Sequence, residues 1–142
     1  MGSWGYKATE NDDYADTTAE MTAPTMRAIT KRLKQKVTLR SINYEANNWR
    51  AAALLLIRLK DLYIELGDQE QWIEDADAAI KKLSVALLTD PWMETWSDRR
   101  KATVEIGSEI EALQRVRSEM SRKPKSPRRP PGSRPGVFEN PR

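Results

Sequence analysis

Four runs of apolar residues recur at the spacing of one helical face, and that patterning leaves this chain few folds. Met26, Ile29, Leu33 and Val37 advance by three, four and four positions, so a helix would bring them to one side. Trp49, Ala53, Leu56, Leu59 or Lys60, and Tyr63 do the same, widened by Ala52, Leu55, Ile57 and Ile64. A third stripe runs through Trp72, Ile73, Ala76, Ala79, Ile80, Leu83, Ala86 and Leu87. The fourth is Ile106, Ile110, Leu113, Val116 and Met120. Stripes of this width must face one another to leave water, which predicts an all-α protein, a compact bundle of about five helices. Within 142 residues there is room for one such core and no more.

Local signals set the expected boundaries. Asp12 and Asp13 suit the exposed amides of a first turn, predicting a short helix to about Met21. Pro24 ends that helix or opens the next one, which is expected to reach Leu39. The widest stripe predicts a central helix from about Ile42 to Leu66, stopped by Gly67 at a position that favours a left-handed conformation. Asp68 and Gln71 have the spacing of a capping box for the fourth helix. Asp90-Pro91 reads as a stop and a restart, with the fifth helix continuing to about Met120. Gly107 inside it marks close packing or a bend.

The two ends read differently. Met1 to Asn11 shows no periodicity, and a short irregular segment is expected there. Six of the eight prolines fall after Lys123, mixed with Arg, Lys, Ser and Gly. Such a segment buries too little apolar surface to offset its ordering entropy, so residues 122–142 are expected to form a disordered, basic, proline-rich tail behind a domain spanning 1–121. From Arg122 onward there are seven basic residues against Glu139 alone. The net charge of +3 therefore combines a basic tail with a mildly acidic domain.

Two missing residue types bound the chemistry. There is no cysteine and no histidine, which excludes thiol and Ser-His-Asp catalysis and removes the commonest zinc ligands. Non-catalytic action without a cofactor or metal is the expectation. A hard cation on Glu10, Asp12, Asp13 and Asp16 is the one oxygen-ligand alternative, and capping with a solvated acidic turn competes with it. The longest apolar run, Ala51 to Ile57, is far short of the roughly 20 residues a membrane span needs. The myristoylation pattern fails at Tyr6, and no signal peptide is legible. A cytoplasmic location is expected.

The opening Met1-Gly2-Ser3-Trp4-Gly5-Tyr6, followed by Glu10-Asn11-Asp12-Asp13 and Asp16, resembles a bacterial family known as domain of unknown function 4259. The later pattern is similar too, with an Ala/Leu-rich helix at Ala51–Leu59, another at Ala76–Leu88, and Trp96 before a last helix. The likeness spans about residues 1–120, while Thr17 to Lys36 is more basic than the family pattern. It implies a small helical bacterial protein without assigned catalytic residues.

The candidate contacts are surface groups. Arg27, Lys31 and Lys34 lie on a basic run continuing to Arg40, and Trp92 with Trp96 at a helix start would suit an interface anchor. These residues point to binding of another protein, and the resemblance implies a bacterial or phage origin, with an immunity-like or anti-defence inhibitor as the concrete form. A nucleic-acid-binding accessory role, using the basic helix and the tail, is the alternative. The sequence leaves the oligomeric state open.

Overall fold

The computed structural model describes residues 12–122, so the expectations for the irregular N-terminal segment and for the tail beyond Arg122 lie outside the described residues. Within them the chain is a helical bundle of six helices: α1 (Asp12–Leu33), α2 (Leu39–Arg58), α3 (Lys60–Glu65), α4 (Gln69–Leu87), α5 (Asp90–Met93) and α6 (Arg99–Arg122). Helix α4 is central. It packs most extensively on α2 and α6, and it also touches α1, α3 and α5.

The four stripes form the core almost as their spacing predicts. Leu33, Trp49, Leu56, Tyr63, Trp72, Leu83, Ile106 and Leu113 are all buried. Alanines keep the helix axes close, with Ala46, Ala52 and Ala53 on α2 facing inward alongside Ala76, Ala79 and Ala86 on α4. Two indole N–H groups tie the elements together. Trp72 donates to the Leu56 carbonyl at 2.7 Å, and Trp49 donates to the Gln35 side chain at 2.9 Å. Each lets a large ring enter the core without leaving its donor unpaired.

Several boundaries differ from expectation, each for a local reason. The two helices expected on either side of Pro24 are one, because α1 runs through it. Proline costs the helix one N–H bond at that point, but Glu20 and Pro24 are both exposed, so the freed carbonyl of Glu20 stays within reach of water. Thr22 also bonds back to the Thr18 carbonyl at 2.6 Å. Helix α1 stops at Leu33 rather than Leu39, since Thr38 caps α2. Its hydroxyl accepts from the Ser41 amide at 3.0 Å while Ser41 Oγ accepts from the Thr38 amide at 2.8 Å. Val37 thereby falls in the connection and is 36% exposed, off the stripe assigned to it.

The expected central helix starts earlier, at Leu39, and breaks at Leu59, whose dihedrals are −99° and 7°. No proline or glycine lies near that break. Gly67 does take a left-handed φ of 74°. The Asp68 amide bonds the Tyr63 carbonyl at 2.8 Å and the Gly67 amide bonds the Ile64 carbonyl at 3.1 Å, which is a Schellman closure. The capping box expected at Asp68 does not form; Gln71 bonds the Asp75 carboxylate instead, at 3.0 Å.

The expected fifth helix is two. After α5 the chain turns, and Asp98 starts α6 by accepting from the Lys101 amide at 3.0 Å. Gly107 is neither a bend nor a close approach, since a Cβ there would meet nothing within 4 Å. Gly107→Ala should therefore raise stability by about 1 kcal/mol through helix propensity alone. A thermal melt showing no gain would mean the backbone at Gly107 departs from a regular helix.

Candidate functional site

Arg27 and Lys31 are four residues apart on α1, and Lys34 directly follows its last residue with its amide bonded to the Thr30 carbonyl at 3.0 Å, so the three rise along one edge. All three are exposed and line an open groove of about 790 Å³ between α1 and the α3–α4 turn. Ala23, Pro24 and Met26 continue the α1 wall. Tyr63, Asp68 and Gln71 belong to the opposite side.

The sequence placed these cations in one run with Arg32, Lys36 and Arg40, but the structure separates them. Arg32 pairs with Glu45 across the α1–α2 connection. Arg40 lies on α2 with its guanidinium 5.9 Å from the Tyr44 ring. Among the described residues no acid comes within ion-pair distance of Arg27, Lys31 or Lys34. Lys34 acts on Asp75 only at longer range.

The floor holds two polar groups that the stripe pattern could not reveal. Tyr63 is fully buried, and among the described residues its hydroxyl has no hydrogen-bond partner. Burial, and then the charges of Asp75 and Asp68, push this phenol well above its ordinary range, so it stays protonated and able to donate. Asp75 is 2% exposed and accepts from Thr30 Oγ1 at 2.7 Å as well as from Gln71. Burial raises its pKa. The Thr30 and Gln71 donors oppose that rise, as does Lys34, while Glu74 adds to it.

A carboxyl raised in the folded state gives stability that is present below the ordinary range near 3.8 and lost as pH climbs through the raised value. Relative to Asp75→Asn, the native chain should therefore lose melting temperature as pH rises above about 4. A difference between the two proteins that stays constant with pH would show that Asp75 is not held in this way.

The expectation that Trp92 stands at the surface is corrected. Trp92 is 3% exposed and belongs to the core beside Met93, because the short helix α5 turns its face onto α4. Trp96 is partly buried and meets Trp92 edge-to-face at 5.8 Å, with the Arg50 guanidinium 5.5 Å from its ring. Neither lines the groove that Arg27, Lys31 and Lys34 border.

Of the acidic cluster considered for a metal, Glu10 and the side chains of Asp12 and Asp13 lie outside what the structure describes. Among the described residues no group of three or more acids could hold a metal ion, and no helix is long and apolar enough to cross a membrane. The chain matches no family model, no curated protein and no solved structure.

Proposed function

We propose that this protein acts without catalysis, by binding another protein along the α1 wall of the groove. The observation that carries the reading is the arrangement of Arg27, Lys31 and Lys34. Three cations without ion-pair partners among the described residues border an open cleft with an apolar strip at Ala23 and Met26. Unpaired surface charge beside apolar area suits a complementary protein face, where it speeds encounter and fixes register. The exposed carboxylate of Glu74 on α4 would repel a phosphate backbone. This favours a protein over the nucleic-acid alternative.

An immunity-like or anti-defence role in a bacterial or phage cytoplasm is the concrete form. Its support is the small helical architecture, the lack of histidine and cysteine, and the resemblance to domain of unknown function 4259.

The test is a comparison of full-length wild type with Arg27→Glu/Lys31→Glu/Lys34→Glu, each isolated from the source cells under matched conditions. The triple variant should lose a bound protein by about tenfold or more. An identical retained set removes this face from the interaction. A gel shift that weakens steeply with salt and vanishes in the triple variant would favour nucleic acid instead.

A further inference from the structure

This inference deepens the protein-binding reading and rests on it. From Ala23 to Lys34 the basic wall extends about 16 Å, or three helical turns. Its cations repeat with helical period, and Ala23 and Pro24 provide apolar surface beside them.

We propose that the groove receives an amphipathic helical segment of a partner protein, carrying acidic residues at i, i+4 and i+7. The acids pair with Arg27, Lys31 and Lys34, and the apolar edge rests on Ala23 and Pro24. A helix laid in a groove is a recurrent mode of recognition, and its anchors repeat at these intervals.

The segment's edge toward the α1 wall is therefore acidic. The chain's own basic tail does not meet this requirement. With seven cations and one acid from Arg122 onward, it would place like charge against the α1 wall.

Two display libraries of helical 14-residue peptides, panned on the full-length protein, test the proposal. One fixes Glu at positions 3, 7 and 10, the other fixes Lys there, and all other positions vary. The acidic library alone should enrich. Its best peptide should bind about tenfold or more weakly to the triple charge-reversal variant, which should select the basic library instead.

Tyr63→Phe should keep or raise the melting temperature, because it deletes an unpaired buried group.

Equal enrichment from both libraries overturns the acidic helix. So does the absence of enrichment from either while the triple variant still loses its cellular protein, a result that leaves the broader reading standing. Failure of both experiments removes both. An amine-reactive cross-link between Lys7 and Lys31 in the free chain, with neither library enriched, assigns the groove to residues 1–11 and also overturns the proposal.

Discussion

Trp72→Ala is expected to cost about 4 kcal/mol, near the upper part of the range for removing a buried aromatic ring. Trp72 is fully buried on α4, the helix that touches all the others, and its indole N–H reaches the Leu56 carbonyl on α2 at 2.7 Å. The substitution opens a cavity at the most extensive helix–helix contact and deletes the bond spanning it. Domains of this size have only about 5–15 kcal/mol in total. The melting temperature should therefore fall by about 15 °C or more, leaving a visible unfolded fraction at warm temperatures. Trp72→Phe separates the two contributions, since it refills most of the volume but cannot donate. Its cost should be about 1–2 kcal/mol. If alanine cost less than about 2 kcal/mol, the α2–α4 contact would not be the core of this bundle.

The next largest effect is expected at Arg50. Its Nε and Nη2 reach the two carboxylate oxygens of Glu109 at 2.7 and 2.6 Å, joining α2 to α6. The pair is partly shielded, with side-chain exposures of 21% and 33%. A two-pronged ion pair of this kind is worth more than a single exposed contact. The Glu109 hydrogen bond is the main cause holding the Arg50 guanidinium above its ordinary range, against the opposing effect of burial.

Glu109→Ala should cost about 1–2 kcal/mol, and a double-mutant cycle with Arg50→Met should give a coupling of about 1 kcal/mol. Because Arg50 also lies over Trp96, loss of Glu109 should change indole fluorescence without unfolding the protein. Zero coupling would reduce the pair to a surface contact.

Periodicity made the core legible and left much of its punctuation hidden. Leu33, Trp72 and Leu113 could be placed inside because burying a helical stripe requires only spacing. The run through Pro24 could not be read, since a proline is tolerated where both it and the freed carbonyl face water, and exposure is a property of the fold. Asp98 caps α6 only because the chain turns after α5, whereas Asp90-Pro91 is the stronger start signal in the sequence, and it is this turn that leaves Trp92 on a separate short helix packed inward.

At the groove, the cations on one edge of α1 were readable from their spacing. That they have no ion-pair partner among the described residues was not, because Arg32 is equally basic and finds Glu45 across a turn. Tyr63 looked like any stripe residue. Only the packing around its hydroxyl shows that the oxygen has no partner.

The central position of α4 also orders how the bundle comes apart. Helix α1 is held chiefly by α2 and α4, and the groove runs along part of that seam. Amides of α4 should be the last to exchange with solvent, while α1 can peel away in a partial opening that leaves the α2–α4–α6 packing intact. Any occupant of the groove that requires α1 in place must raise the free energy of that opening by its own binding. Deuterium uptake along α1 would then act as an occupancy gauge, slowing in proportion to the free concentration of whatever the groove accepts.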